Sequence, residues 1–223
     1  YYTKGAMVAL YLDLVLRLRT DGAGSLDDVM RILWQRHGLT GVGVAEDGVE
    51  RIAAEVAGGD LSAIFDVAIR GTDDLGLAAL LPQFGVALRM RPASGPTDLG
   101  GKPAAIDLAA LRARGDLALR VVAQGGDTRV AAVHLDGGAH RAGLSAGDVV
   151  VALNGLRVNH TSLMERISRV APGETVELHA FRRDELMVFS AVAQPPREEV
   201  AELVLLEDLE PAVALRRKAW LGA

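Results

Sequence analysis

The sequence of 223 residues contains no cysteine. Disulfides and thiolate zinc sites both need cysteine sulfur, so neither a disulfide framework nor a cysteine-based zinc cluster stabilises this chain. The sequence also has no excess of positive charge, since 24 lysines and arginines stand against 29 aspartates and glutamates, for a net charge of −5. We therefore expect no nucleic-acid-binding surface and no polybasic membrane anchor.

Long hydrophobic runs are absent as well. The longest candidate covers residues 6 to 16 and is interrupted by Asp13. It falls short of the roughly 18 apolar residues that a membrane-spanning helix needs. The chain starts in an apolar helical pattern with no targeting segment before it, and we interpret it as a fragment of a longer protein.

The histidines form no zinc-peptidase motif. Such a motif, His-Glu-x-x-His, places two histidines one helical turn apart with a glutamate as general base, and it does not occur here. His134 and His140 flank a glycine turn, an arrangement more typical of a surface loop than of a ligand pair. We expect no metal site in these residues. The five histidines are His37, His134, His140, His160 and His179.

The first part of the chain has helical periodicity. Residues 4 to 19 are apolar almost all round, as in a helix buried on most sides. Three amphipathic helices follow, the first with a capping box of Ser25 and Asp28 and the last capped by Asp60. Residues 1 to 82 are therefore predicted to be a helical array.

The second part alternates like β-strands around one main helix, which is predicted to be capped by Thr161 or Ser162. A strand over residues 84 to 90 and a glycine- and proline-rich connector over 92 to 103 precede it, and a short helix is predicted over 104 to 114. The further predicted strands cover residues 117–122, 128–133, 149–153, 174–181 and 186–192. An extended segment near 200 to 206 and a helix starting at Pro211 complete the chain.

Residues 142 to 155 are the most informative stretch, reading Ala-Gly-Leu-Ser-Ala-Gly-Asp-Val-Val-Val-Ala-Leu-Asn-Gly. Gly143 and Gly147 suit turns with positive φ, and Asp148 can cap the second turn through its carboxylate. A buried strand and an Asn-Gly reverse turn follow. This pattern resembles the signature of a PDZ domain of the bacterial, protease-associated kind.

The PDZ resemblance implies a groove that captures an extended peptide, added as a strand beside residues 117–122 and facing the helix over 162–170. The peptide would be a C-terminus or an internal segment. A PDZ fold that serves only for domain packing is the alternative. The residues implied in binding are Gly115, Asp116, Leu117, Ala118 and Leu119 in the carboxylate-binding loop, with Leu163 and Ile167 on the helix.

Two residues of this loop depart from the family pattern. Ala118 stands where such loops usually have glycine, which restricts the backbone. Asp116 adds a negative charge that is unfavourable for an anionic peptide terminus.

The opening Tyr1-Tyr2-Thr3-Lys4-Gly5 carries a second resemblance. By residue type alone, a tyrosine pair before an apolar helix is typical of a packing cap. However, Tyr-x-Lys-Gly resembles a segment of gluzincin aminopeptidases, and Tyr-Tyr-Thr-Lys-Gly resembles the glycyl aminopeptidase family specifically. Residues 57 to 65, the following Arg-Gly pair and the final Trp-Leu-Gly resemble the same family, which carries a PDZ domain after its helical region.

This second resemblance implies a zinc-dependent aminopeptidase for peptides with a small N-terminal residue such as glycine. The Tyr2 hydroxyl would stabilise the oxyanion that forms when a zinc-bound water attacks the peptide carbonyl. The zinc ligands and the general base would lie upstream, so the fragment alone would bind no zinc and be inactive. The alternative is a non-enzymatic PDZ peptide-binding module on a helical scaffold.

The expected fold class is α+β, with an all-helical segment of a metallopeptidase catalytic domain followed by a PDZ-like, partly open β-barrel. The expected domains are 1–82, the helical C-terminal part of the catalytic domain; 83–115, a connector with one strand; 116–195, the PDZ-like domain; and 196–223, a C-terminal tail with a short helix.

Overall fold

The computed structural model describes residues 2–95, 97–101 and 106–222. It confirms an α+β fold, in which the sheet is open rather than closed. The chain separates into two compact units, one of Tyr1–Leu88 with Leu203–Ala223 and the other of Arg89–Glu202. None of the helices in the described ranges has the length and apolar character needed to cross a membrane.

Helices come first, then strands with three helices among them, and one last helix follows. The helices are α1 (Tyr2–Arg19), α2 (Leu26–Leu33), α3 (Gly48–Ala57), α4 (Ser62–Phe65), α5 (Leu77–Leu80), α6 (Leu108–Arg112), α7 (Gly138–Arg141), α8 (His160–Ser168) and α9 (Pro211–Leu221). The strands are β1 (Val86–Pro92), β2 (Leu119–Gln124), β3 (Asp127–Val133), β4 (Val149–Leu153), β5 (Leu156–Arg157), β6 (Thr175–Arg182), β7 (Glu185–Val192) and β8 (Glu198–Leu205).

The helical unit is organised around α1, whose apolar residues lie in two core clusters. Asp13, the one acid within the apolar part of α1, accepts the Leu26 N–H at 2.9 Å and the Arg17 Nε–H at 2.9 Å. It thereby satisfies a free amide at the start of α2. The predicted capping interaction is present in α2, because the Ser25 N–H donates to the Asp28 carboxylate at 2.9 Å.

The final helix α9 packs within the helical unit. Pro211 occupies its first turn, as predicted, where a missing N–H costs nothing. Near its end the Trp220 ring meets Phe84 edge-on, with the ring centroids 5.7 Å apart. Gly222 then ends the helix with φ +72°, donating its N–H to the Lys218 carbonyl. The Trp-Leu-Gly ending therefore combines a packing ring with a helix stop.

The second unit contains an antiparallel sheet with strand order β2-β3-β4-β6-β7, and β5 pairs beside β4. Helix α8 covers its apolar face with Leu163 and Ile167. The core combines these with buried residues from each principal strand. These are Leu119, Val121, Val130, Val150, Leu153, Val176, Leu178, Ala180, Phe189 and Ala191.

Several predicted boundaries differ from those of the structure, and the strand predicted over 84–90 covers Val86–Pro92. Helix α8 is capped by Asn159 rather than by Thr161 or Ser162: the Asn159 side chain accepts the Ser162 N–H, and the Ser162 hydroxyl oxygen accepts the Asn159 N–H, both at 2.9 Å. Strand β2 begins at Leu119 rather than residue 117, because Ala118 has a left-handed backbone with φ +56°. The predicted helix over 104–114 begins outside the described residues, and its described part is α6.

A buried arginine organises the start of the second unit. Arg91 on β1 is 4% exposed and donates two hydrogen bonds to the Asp98 carboxylate, at 2.6 and 3.1 Å, and one to Glu202 on β8. Hydrogen bonds from Arg91, and then from Ser94, hold the pKa of Asp98 well below its usual range. This ion cluster joins β1 and the stretch just after it to β8, which lies more than 100 residues further along the chain.

The informative stretch over residues 142–155 has the predicted local structure. Gly143 and Gly147 have φ angles of +91° and +97°, and β4 covers the predicted 149–153. Asp148 is 2% exposed and accepts two hydrogen bonds from Arg182, at 2.9 and 2.8 Å, and one from the Ser145 N–H at 2.8 Å. Burial opposes ionisation of Asp148, but the bonds from Arg182 and Ser145 outweigh it and lower its pKa below the ordinary 3.8.

We predict that Asp148→Asn destabilises the sheet unit at neutral pH by about 1–3 kcal/mol, because charge-assisted hydrogen bonds to a buried carboxylate are lost. Since the folded pKa of Asp148 is depressed, this contribution is fully present above about pH 4. It disappears as the pH falls through the folded pKa. The measurement is amide hydrogen exchange of β4 and β6 in the wild type and variant, from neutral to acidic pH.

The matched control is Asp184→Asn, the same substitution at an exposed turn residue. It should change stability by no more than about 0.5 kcal/mol at any pH. A stability difference between Asp148→Asn and wild type that persists unchanged into strong acid would contradict the assigned role of the ion pair.

Candidate peptide-binding site

Strand β2 offers an open edge for peptide pairing. It lies at the end of the strand order, and among the described strands it pairs only with β3. Helix α8 flanks this edge, where His160 Nε2 lies 3.3 Å from the Val121 carbonyl oxygen and donates to it. The Val121 carbonyl therefore faces away from β3 and towards α8. An added strand can pair with backbone groups that face in this direction.

The predicted binding loop, residues 115 to 119, ends at the first residue of β2 and is held firmly by its neighbours. The Leu117 carbonyl accepts the Ala139 N–H at 2.9 Å, and the Ala118 carbonyl accepts the His134 N–H at 2.9 Å. Gly115 packs so closely that a Cβ would lie 2.5 Å from the Val170 carbonyl oxygen. The loop is therefore positioned by the turn before α7 on one side and by the end of α8 on the other.

Asp116 fixes the loop through both its backbone and its side chain. Its N–H and carbonyl exchange hydrogen bonds with Gln194, each at 2.8 Å. Its carboxylate oxygen Oδ1 accepts the Ala118 N–H at 2.9 Å. One of the loop amides thus has an acceptor from within the loop.

Ala118 adopts a conformation that usually favours glycine, with φ +56°. Its methyl group is nearly buried and faces Gly137, where a Cβ would lie only 2.4 Å from the Ala118 Cβ. Gly137 therefore makes room for the alanine. Sequence reasoning noticed the alanine but missed the glycine that accommodates it.

The apolar side chains between β2 and α8 are packed against each other. Leu119 and Val121 are each 7% exposed, Ile167 is 3% exposed and Leu163 is fully buried. The structure thus brings Leu117 and Leu119 of the predicted loop together with the two helix residues in one core. Gly115, Asp116 and Ala118 are not part of this core cluster. The edge of β2 offers backbone pairing more than an open side-chain pocket.

The other predicted site residue, Tyr2, belongs to the other compact unit. It lies at the start of α1 and is 92% exposed. Tyr1 lies outside the described residues. Throughout the described ranges, no three histidine, aspartate or glutamate side chains come together as a set of metal ligands. His160 and Gln194 were missed from the sequence; a better prediction of the α8 cap would have placed His160 at the helix start, beside the groove.

Residues 115–191 match the PDZ domain family. They form a PDZ domain. The match covers the loop, the β2 edge and α8, together with the whole of the turn around Asp148.

The chain as a whole is similar to a larger protein. It aligns over 99% of its length with an aminopeptidase N family protein from Idiomarina loihiensis, known from a crystal structure, at 35% identity and a TM-score of 0.84. The chain spans 36% of the length of that protein. No curated protein matches the sequence.

Part of the chain also aligns with parts of two solved proteases. The HtrA-type protease AlgW with a decapeptide is 24% identical, with 39% of this chain and 31% of AlgW covered and a TM-score of 0.36. The serine endoprotease from Yersinia pestis is 21% identical, with 39% and 30% covered and a TM-score of 0.35.

We predict that Gly137→Ala destabilises the PDZ domain by about 1–3 kcal/mol, because its new methyl group collides with that of Ala118. In an Ala118→Gly background the same substitution should cost at least about 0.5 kcal/mol less, since the collision partner is gone. Urea unfolding of the four proteins of this double-mutant cycle measures the coupling.

Gly138→Ala is the matched control. Its Cβ would meet the Val192 carbonyl oxygen at 2.2 Å rather than Ala118, so it should cost the same in both backgrounds. A Gly137→Ala penalty that does not depend on residue 118 would show that the Ala118 methyl group does not determine the need for glycine.

Proposed function

We propose that this chain is the C-terminal part of a zinc-dependent aminopeptidase that acts on peptides with a small N-terminal residue such as glycine. The supporting observation is the 35% identity to the aminopeptidase N family protein, over 99% of this chain. Because the chain spans 36% of that protein, most of the peptidase would consist of residues beyond those described. The glycine preference rests on the Tyr-Tyr-Thr-Lys-Gly resemblance.

The residues of this chain do not fit a zinc site. The described side chains contain no cluster of three potential ligands, and the sequence has no His-Glu-x-x-His. In this proposal the zinc ligands and the general base belong to the rest of the peptidase. The contribution of this chain to catalysis would be Tyr2.

Tyr2 is suited to stabilise negative charge on a substrate oxygen. A neutral phenol donates one hydrogen bond, and a donor aimed at charge that develops only in the transition state lowers the activation barrier without tightening substrate binding. Tyr2 stands in the first turn of the 18-residue helix α1, and the buried residues of this helix lie further along, from Leu12 to Leu16. The core thus holds the helix, while the Tyr2 side chain is 92% exposed.

The PDZ domain would bind an extended peptide along the β2 edge. The unpaired edge, the outward-facing Val121 carbonyl and the adjacent helix α8 support this role. A non-enzymatic PDZ module on a helical scaffold is the second candidate. The observation that favours it is that the PDZ domain has its own core, made entirely of residues 117–193.

We predict that Tyr2→Phe in the whole protein lowers kcat about 100- to 1000-fold, with zinc content and KM nearly unchanged. Phenylalanine keeps the ring, so any packing role survives while the hydrogen-bond donor is lost. The measurement is the steady-state hydrolysis of a glycyl peptide substrate, with metal analysis of the same preparations.

Tyr11→Phe serves as the matched control, because Tyr11 lies on the same helix but packs partly buried against its core. Its kcat should stay within about twofold of wild type. Full turnover by a folded, zinc-loaded Tyr2→Phe enzyme would return Tyr2 to a packing role. A wild-type whole protein that hydrolyses no peptide would favour the non-enzymatic module.

A further inference from the structure

The carboxylate-binding loop of the PDZ domain already holds a carboxylate of its own. Asp116 Oδ1 accepts the Ala118 N–H at 2.9 Å. A backbone amide has one hydrogen to donate. A peptide C-terminus that used this amide would have to displace the Asp116 side chain.

Displacement would leave two carboxylates side by side. Like charges at hydrogen-bonding distance disfavour each other's ionised form. Among the described residues, no basic side chain lies within ion-pair distance of Asp116, and the nearby Arg112 is engaged with Glu198 at 2.7 Å. Among the described residues, no cation is therefore paired with Asp116 to offset a second negative charge.

Backbone contacts keep Asp116 in this position. The two hydrogen bonds with Gln194 hold its own peptide groups, and the bond from His134 holds the Ala118 carbonyl. The Ala118 N–H points back towards residue 116, where it meets the Asp116 carboxylate. The internal hydrogen bond is thus built into the loop rather than made by a mobile surface side chain.

The edge of β2 remains available beyond the loop. The Val121 carbonyl has two lone pairs, so the bond from His160 leaves one for a peptide N–H. The apolar side chains beside this edge are already buried, so backbone pairing is the main interaction on offer. This pairing needs no free terminus.

We infer that the PDZ groove selects internal, extended peptide segments and rejects free C-terminal carboxylates, with Asp116 as the specificity-determining residue. The inference rests on the proposed peptide-binding role of the groove. The inference adds the class of ligand to that role. The ligand is a segment whose chain continues past the loop, so that no terminal carboxylate lies beside Asp116.

The test uses the 223-residue chain and a library of random decapeptides displayed in two formats. One format ends in a free carboxylate, and the other continues through a Gly-Ser linker into a carrier protein. Wild type should enrich the internal format only. For a selected sequence, the synthetic free acid should bind about tenfold or more weakly than the C-terminal amide.

Asp116→Asn isolates the charge, because asparagine keeps an acceptor for the Ala118 N–H. In this variant the acid and the amide should bind within about twofold of each other, and the free-carboxylate format should become enriched. Asp184→Asn, at an exposed turn, should behave as wild type.

The two possible failures are distinct. Wild-type selection of free C-terminal peptides that lose affinity on amidation would overturn the inference and leave the proposed peptide-binding role intact. No enrichment in either format, by wild type or by Asp116→Asn, would remove the peptide-binding role itself, and the inference with it.

Discussion

The two hydrogen bonds between Arg182 and Asp148 are the interaction on which the PDZ domain depends. Arg182 also donates to the Gly143 carbonyl at 2.8 Å and lies over the Phe189 ring at 5.3 Å, so the pair joins the glycine turn to β6 and β7. The same turn reaches β3, because the Val130 backbone exchanges hydrogen bonds with residues 147 and 148. Since β2 pairs with β3, the position of the binding edge depends on this partly buried ion pair.

The features predicted correctly from the sequence are short-range. The two turn glycines, the strand between them and the Asn-Gly turn, and the Ser25 cap of α2 each depend on residue types within a few positions. Local steric preferences determine such features almost alone. The prediction of the α8 cap was wrong because Asn159, Thr161 and Ser162 are all good capping residues. The sequence alone did not rank them.

The features that sequence reasoning missed depend on distant partners. In the sequence, Arg91 looks like any other charged residue. Only the structure shows that it pairs with Glu202 on β8. Likewise, the left-handed backbone of Ala118 requires the space left by Gly137, and Asp116 is fixed by Gln194. Pairs of this kind are set by tertiary packing. They make the loop a rigid element, in which strain at an alanine is balanced by contacts from three other segments.

The central claim, that the loop is occupied by its own carboxylate, is tested most directly by the NMR signal of the Ala118 amide proton. This proton should lie downfield in the wild type, and Asp116→Ala should abolish the downfield shift. Adding a peptide with a free C-terminus at neutral pH should leave the signal unchanged. The account would be contradicted if the Ala118 amide signal were unaffected by Asp116→Ala and moved downfield when the peptide with a free C-terminus was added.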